Sequence, residues 1–551
     1  MYVLRSLLST CLIYLDKWRG DYHHMTKQQS FITGAVILTV TSLFVRAAGF
    51  LFRIYLSNMV GAEGMGIYSL IMSVYGLCTT VATSGVSIAV SRLVAEQLSL
   101  GRSANAVRVL RRSVSLSLLL GCAIGTVLLI VSEPIAMHVL GDERTLLSLR
   151  ILAPGLPFLA ISSCFRGYFV AHRKTANPAS GQVVEQMFKI GFVVLMIGRV
   201  IPYGLEYAAA WIVLGLTLGE IVCFIYTFAG YMLMKNREQI AGRADMQNVV
   251  RKILEIILPI SVAAYIRSAL RLAENVITLN ALRLYSGAGD IAISTYGMLK
   301  GMAMPLLLFP LSLLSSFVIT LTPEISRLHV SGRKRELEAI IGRILQYTCF
   351  AGVMIVCVFM TFPREIGIAV YNDPGVGEML LMLSFLSPFM CLELVTVGIL
   401  QGLGEQVSST RYNIIDCALR IGLVWALIPL IGVAGFMWMT VASNLFTSIL
   451  NIRRLVKITK VRFEIKQWLI KPGIAAVASG QITLFLYRHG ALSSYAPRVS
   501  LFIGIAMACA AYIVLLFLLD CIKSGDISWI FERLRRGAAE SKKAQAEVVQ
   551  E

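Results

Sequence analysis

The sequence predicts an all-α integral membrane protein with about 14 transmembrane helices, in two parallel six-helix repeats followed by two C-terminal helices. Three observations lead to this fold class: an apolar composition, long uncharged runs and a repeat with a constant offset. Of the 551 residues, 57% are hydrophobic and 15% are charged, and the mean hydropathy is +0.75. Soluble domains carry about 25% charged residues, so a soluble core could not cover this much apolar surface.

The apolar runs are long enough to cross a bilayer as helices. Residues 113–131 and 501–519 are almost free of charge, and about 20 apolar helical residues cross a hydrocarbon layer about 30 Å thick. We predict spans at residues 31–56, 64–90, 113–132, 147–171, 181–201, 207–234, 253–281, 293–322, 344–362, 378–400, 412–430, 433–452, 472–487 and 499–520.

Positive charge is distributed unevenly between the two faces that these spans define. About 35 of the 50 Lys and Arg residues lie in the termini and in the loops after even-numbered spans, and about 6 lie in the other loops. This asymmetry predicts a membrane protein with both termini in the cytoplasm, and residues 1–30 and 521–551 form the terminal segments. The net charge of +19 then reflects orientation and contact with membrane lipids rather than a nucleic-acid partner. Met1 and Met25 are both candidate translation starts.

An internal repeat at an offset of about 231 residues predicts the domain organisation. We expect an N-lobe at 31–235 with spans 1–6, a C-lobe at 250–455 with spans 7–12, and spans 13 and 14 at 472–520. Two such lobes around a central axis suit alternating access. The matching positions are Gly101 and Gly332, Pro157 and Pro388, Glu185 and Asp416, and Lys189 and Arg420.

Charged residues inside the predicted spans are candidate functional residues, because a charge in hydrocarbon costs several kcal/mol. The first helix of each repeat carries arginines on one face, at spacings that are multiples of a helical turn. Guanidinium groups bind phosphate through a planar fork of donors, so a cationic seam predicts an anionic, phosphate-bearing cargo. The candidate substrate-binding residues are Arg46, Arg53, Arg267, Arg271, Glu274 and Lys300.

Other interpretations of these charges remain open at this stage. Arg271 and Glu274 could form a structural pair within one helix, and Arg53 could extend to the membrane surface. A cationic seam would also accept a carboxylate-bearing drug. Asn413, Asp416 and Thr440 offer oxygen ligands for a cation, although scattered polar residues also join helices.

The sequence contains no Walker A loop, nucleophile elbow, HExxH motif or paired-cysteine zinc spacing. We therefore expect a non-enzyme without a bound cofactor, and we expect sodium or the membrane potential to supply any driving force. The alternatives from other functional classes are a non-transporting membrane scaffold for envelope synthesis and a membrane glycosyltransferase.

Several short motifs occur in order: Arg46-Ala-Ala-Gly-Phe, Gly61-Ala-Glu-Gly-Met-Gly-Ile-Tyr68, the segment 84–96 and the segment 161–169. Together they resemble the stage V sporulation protein B family, in the polysaccharide-transporter branch of the superfamily that contains MATE exporters and MurJ-type lipid II flippases. The resemblance implies a fourteen-helix flippase fold and, for Arg46, the position of a family arginine. It implies a lipid-linked saccharide or lipid II as cargo.

The residues and the resemblance agree on the chemistry of a pyrophosphate head that passes through a cationic cavity. The resemblance implies a flippase that moves an undecaprenyl-pyrophosphate-linked cell-wall precursor across the bacterial cytoplasmic membrane by alternating access, for spore cortex peptidoglycan. Cell-wall synthesis enzymes are expected partners. The closest alternative within transport is a MATE-type multidrug exporter, which usually uses acids to bind cationic substrates, whereas this chain has an excess of arginines.

Overall fold

The computed structural model describes residues 27–235, 247–461, 464–489 and 497–522, and in these ranges the regular structure is entirely helical. Most of the two predicted terminal segments lies outside the described residues. Packing divides the chain into two compact units. The first contains residues up to Met302 together with Cys417–Gly432, and the second contains Ala303–Asp416 and the residues from Val433 onward.

Among the residues that the structure describes, the first unit is formed by nine helices and part of α15, which is defined below. Its apolar core joins α2, α3, α5, the end of α7 and the start of α8. The helices are α1 (Lys27–Thr83), α2 (Val86–Ser99), α3 (Ser103–Pro134), α4 (Leu146–Leu152), α5 (Leu156–Ala171), α6 (Ala176–Val200), α7 (Leu205–Lys235), α8 (Val249–Ser286) and α9 (Gly289–Tyr296).

The second unit is built around α11 and α14, with α16 and α17 packed as a pair. A π-helical segment, Gly297–Ala303, connects α9 to α10 across the boundary between the units. The helices are α10 (Met304–Val330), α11 (Lys334–Thr361), α12 (Pro363–Tyr371), α13 (Pro374–Ser384), α14 (Ser387–Gly402), α15 (Gln406–Thr459), α16 (Lys471–His489) and α17 (Pro497–Leu518).

The described residues contain ten helical stretches long and apolar enough to cross a membrane, and eleven if the bent pair α13–α14 is one span. Two of the ten stretches each contain two predicted spans. Val40–Ser99 contains a break at Gly61, and Gln406–Thr459 contains a break at residues 431–432. With α6, a helix of 25 residues, every one of the fourteen predicted positions carries a helix. The all-α membrane fold is confirmed.

Two predicted spans are interrupted where the sequence suggested continuous helices. The span predicted at 64–90 ends at Thr83 and restarts at Val86, because Gly85 adopts a left-handed backbone with φ +73° that favours glycine. A Cβ at Gly85 would lie 3.2 Å from the Cα of Ile257, so α8 passes directly over this break. The span predicted at 378–400 bends by 57° between α13 and α14.

The repeat seen in the sequence recurs in the backbone of the two units. Asp142 caps the following turn by accepting from the Arg144 amide at 3.0 Å, and Asp373 accepts from the Gly375 amide at 2.8 Å. A Cβ at Gly121 would lie 2.7 Å from the Cα of Pro157, and one at Gly352 would lie 2.6 Å from the Cα of Pro388. The paired positions in both comparisons are 231 residues apart, which supports two copies of one unit.

The predicted lobes follow the chain order of the repeats, whereas close packing groups the residues differently. The helix α8, which opens the second repeat, belongs to the first compact unit. The hydroxyls of Ser261, Tyr265 and Ser268 donate to the carbonyls of Ser84, Val81 and Gly76 at 3.0, 3.1 and 3.3 Å. These bonds fix α8 against the second half of α1. The lobe boundaries at 31–235 and 250–455 stay a prediction.

The second half of α1 makes a close backbone approach to the π-helical segment. A Cβ at Gly297 would overlap the carbonyl oxygen of Ala62 and lie 2.6 Å from the amide nitrogen of Gly66. A Cβ at Gly301 would lie 2.9 Å from the Cβ of Met65. Glycine at these positions therefore lets the π-helical segment lie directly on α1.

We predict that Gly297→Ala destabilises the protein by about 1–3 kcal/mol, because the added methyl group forces two packed backbones apart. The measurement is the midpoint of thermal unfolding of the purified protein in detergent.

The matched control is Gly191→Ala, since Gly191 is also helical and a Cβ there meets nothing within 4 Å. Its expected midpoint is equal to the wild type or slightly higher, because alanine favours helix. Equal midpoints for Gly297→Ala and the wild type would contradict the close approach.

Candidate functional site

The candidate substrate-binding residues Arg46, Arg53, Arg267, Arg271, Glu274 and Lys300 all lie in the first compact unit. Those on α8 follow one side of the helix at spacings of four and three residues. The Arg267 Nε donates to the carbonyl of Ala263 at 3.3 Å, and the Arg271 side chain is exposed. Glu274 is buried, with 7% of its surface exposed.

The ion-pair partner of Glu274 is Lys300, and the alternative of a pair with Arg271 is not formed. The Lys300 Nζ lies 3.4 Å from the Glu274 Oε1, and their side chains are 19% and 9% exposed. Arg420, in the part of α15 that belongs to this unit, and Arg271 add attractive charge interactions with the carboxylate. One buried acid is therefore surrounded by three cations.

Lys300 reaches Glu274 from the π-helical segment Gly297–Ala303. A π-helical turn inserts an extra residue and rotates the side chains that follow it, and such turns are frequent at functional sites. Gly297 and Gly301 lie on either side of Lys300 and allow the segment to pack against α1. This packing fixes the position of Lys300 along α1. The Thr278 hydroxyl donates to the Glu274 carbonyl at 2.6 Å, one turn further along α8.

The arginines of α1 lie before its break at Gly61. The Arg53 guanidinium lies 6.0 Å from the centre of the Tyr68 ring, which belongs to the second half of α1. A cation over an aromatic face is stabilised by the negative charge of the ring surface. Arg46 is exposed, as are the apolar side chains of Phe44 and Leu51 on the same half-helix.

Exposure has a different meaning for the arginines and for their apolar neighbours. Leu51 can face lipid tails without cost, but an arginine facing hydrocarbon costs several kcal/mol. Arg46 and Arg271 are both exposed inside long apolar helices, positions that suit side chains lining a hydrated or anion-binding surface. Five cations and one acid give this group an excess of positive charge, which suits a phosphate-bearing ligand.

The candidate cation site lies on α15 and belongs to the second unit. Asp416 is buried at 3% exposure and accepts a short hydrogen bond from the Ser443 hydroxyl. Thr440 is buried one turn before Ser443, but its hydroxyl donates to the Phe436 carbonyl. The Asn413 Oδ1 is buried and has no hydrogen-bond partner among the described residues. The break at residues 431–432 lets the two halves of α15 meet.

The described residues contain no group of three or more His, Cys, Asp or Glu side chains placed to hold a metal ion. A sodium ion at Asp416 would therefore depend on amide and hydroxyl oxygens for its remaining ligands. Ser443 was not predicted from the sequence as a site residue, although it follows Thr440 by three residues and therefore lies on the same side of the helix. The cation site stays a prediction.

Comparison with known proteins assigns this chain to a family. Residues 31–329 match the family described as polysaccharide biosynthesis protein. The chain belongs to this family.

Two relatives from Bacillus subtilis (strain 168) extend the match over most of the chain. One is stage V sporulation protein B, 25% identical over 509 residues, which cover 91% of this chain and 97% of that protein. The other is lipid II flippase MurJ, 24% identical over 438 residues, which cover 73% and 78% of the two chains. The resemblance to the stage V sporulation protein B family is confirmed.

Solved structures show the same fold. The structure of lipid II flippase MurJ in an inward closed conformation has a TM-score of 0.67 at 14% identity, and the match covers 89% of this chain and all of that one. An inward-facing multidrug resistance MATE family transporter has a TM-score of 0.62 at 14% identity, over 77% and 99% of the chains. Both likenesses concern the fold alone.

We predict that Lys300→Met destabilises the protein by about 3–5 kcal/mol, because it leaves the buried Glu274 carboxylate without its ion-pair partner. The double variant Lys300→Met/Glu274→Gln should recover most of this loss, since both charges are removed. Thermal unfolding in detergent measures both effects.

The control is Arg327→Ala, which removes the exposed Arg327–Glu324 ion pair, and such a pair contributes at most about 1 kcal/mol. A double variant that is no more stable than Lys300→Met would contradict the assigned pair.

Proposed function

We propose that this protein is a flippase that moves an undecaprenyl-pyrophosphate-linked cell-wall precursor across the cytoplasmic membrane by alternating access. The observation that carries the proposal is the exposure of Arg46 and Arg271 inside apolar helices, beside the Glu274–Lys300 pair. The family match and the relatives stage V sporulation protein B and lipid II flippase MurJ support a lipid-linked saccharide or lipid II as the cargo.

The site needs only to bind the head group of the cargo, and no reaction takes place there. A pyrophosphate head carries several oxyanions, and arginine forks bind such groups with two donors each while remaining charged. The lipid tail can stay in the bilayer while the head crosses, so no bond needs to form or break. Lys300 and Glu274 supply a fixed charge pair that orders the wall of the site without adding net charge.

The finer proposal is that the cargo serves spore cortex peptidoglycan. It rests on the relative named stage V sporulation protein B, which matches 91% of this chain. We also propose that both termini lie in the cytoplasm and that cell-wall synthesis enzymes act beside the flippase. The basic loops of the sequence support the orientation.

We predict that Arg46→Ala and Arg271→Ala each reduce lipid II flipping at least about tenfold, since a hydrogen bond to a charged group contributes about 1.5–3 kcal/mol. The full-length protein is reconstituted in liposomes with labelled lipid II on one leaflet. Appearance of label on the other leaflet is measured at matched amounts of folded protein.

The control is Arg199→Ala, because Arg199 is exposed at the end of α6 and its Nη1 contacts only the sulfur of Met196, at 3.7 Å. It should flip at the wild-type rate. Equal rates for wild type, Arg46→Ala and Arg271→Ala would contradict the proposal, and flipping no faster than in empty liposomes would favour a non-transporting scaffold.

A further inference from the structure

A second group of buried charges lies in the first unit, around Glu220 on α7. Glu220 is 5% exposed, and the Tyr75 hydroxyl donates to its Oε1 at 2.7 Å. Its other oxygen, Oε2, is buried without a hydrogen-bond partner in the part of the chain that the structure describes. A buried carboxylate with one unsatisfied oxygen is expensive, so this group needs an explanation beyond packing.

Glycines on α7 bring further charges to Glu220. Gly215 and Gly219 are four residues apart, a spacing that lets membrane helices pack closely. A Cβ at Gly219 would lie 3.6 Å from the Cγ of Glu185 and 3.5 Å from the Cβ of Lys189. The side chains of Glu185 and Lys189 on α6 therefore lie beside Gly219, the residue that precedes Glu220.

Glu185 and Lys189 lie one turn apart on α6, a spacing that suits an ion pair. No ion pair within 4 Å joins them among the described residues. Both Glu185 and Lys189 interact with Glu220 through their charges. Arg166 on α5 does so as well. Two acids and two bases therefore form one group, in which Glu220 is buried and the other three side chains are half-buried.

The groups that interact with Glu220 come from four helices. They are Tyr75 from α1, Arg166 from α5, Glu185 and Lys189 from α6, and Cys223 from α7 itself. Two neighbouring carboxylates repel each other, and a proton shared with one of them removes this repulsion. A proton on Oε2 also converts the unpartnered acceptor into a donor. Binding one proton changes the charge of the whole group from zero to +1.

We propose that Glu220, with Tyr75 and Glu185 as positioning residues, is a proton-binding site, and that proton binding there drives the transport cycle. The ligand is a proton taken from water and returned to water, so the step needs no other reactant. A sodium ion suits the site less well, because it needs several oxygen ligands in one place, whereas Lys189 and Arg166 already supply positive charge. The link to the transport cycle rests on the proposed flippase function, but proton binding does not.

The first test measures proton binding directly in the full-length protein. Infrared spectra recorded between about pH 5 and pH 8 report protonated carboxyl groups through their C=O stretch. We expect a buried-carboxyl band that appears as the pH falls, is lost in Glu220→Gln and is retained in Glu206→Gln, a control on the same helix. A band that persists unchanged in Glu220→Gln would overturn the proposal, as would its absence from the wild type.

A second variant keeps the test decisive if Glu220→Gln does not fold. Tyr75→Phe removes only the hydroxyl that donates to Glu220, so it should shift both the band and its titration midpoint. An unchanged band and midpoint would overturn the assignment to Glu220. A purely structural cluster of charges predicts no titration in this range for any variant.

The transport arm uses the same liposomes and labelled lipid II. A proton gradient should accelerate flipping by wild type and Glu206→Gln and leave Glu220→Gln unaffected. Acceleration by a sodium gradient alone would overturn proton coupling. If wild type moves no lipid, the proposed function fails, while the infrared titration still decides whether Glu220 binds protons.

Discussion

Hydrocarbon solvates charge poorly, and the positions of the charged side chains in this fold follow from that constraint. A charge inside an apolar helix needs an opposite charge, an aromatic face, a hydrogen-bond donor or water. Glu274 is paired with Lys300, Arg53 lies over the Tyr68 ring, and Glu220 accepts from Tyr75. Arg46 and Arg271 are exposed, which suits a hydrated cavity or an anionic ligand.

Close backbone packing makes these charge arrangements possible. Gly66 and Gly297 let the π-helical segment lie on α1, and this segment carries Lys300 to Glu274. Gly219 does the same for α6, which brings Glu185 and Lys189 beside the residue that precedes Glu220. In both places a larger residue would separate the helices, and the charged side chains would lose their partners. The positions of the charged side chains therefore depend on the small residues that let the helices pack closely.

The helix positions could be predicted from the sequence because apolar runs and basic loops are local signals. The repeat could be predicted as well, since Pro157 and Pro388 keep one offset and each packs against a glycine in its own unit. The break at Gly85 could not, because it depends on the backbone of α8. The partners Lys300 for Glu274 and Tyr75 for Glu220 are 26 and 145 residues away in the chain, so helical spacing could not identify them.

The central claim is that the arginines of α1 and α8 face water inside the membrane. Its most direct test is labelling of Arg46→Cys, Arg271→Cys and Leu51→Cys with a charged, membrane-impermeant thiol reagent, with the labelling of the parent protein subtracted. Leu51 is 64% exposed and apolar, so it serves as the lipid-facing position. The account predicts rapid labelling at positions 46 and 271 and none at 51. Unreactive cysteines at 46 and 271, in protein that remains folded, would contradict it.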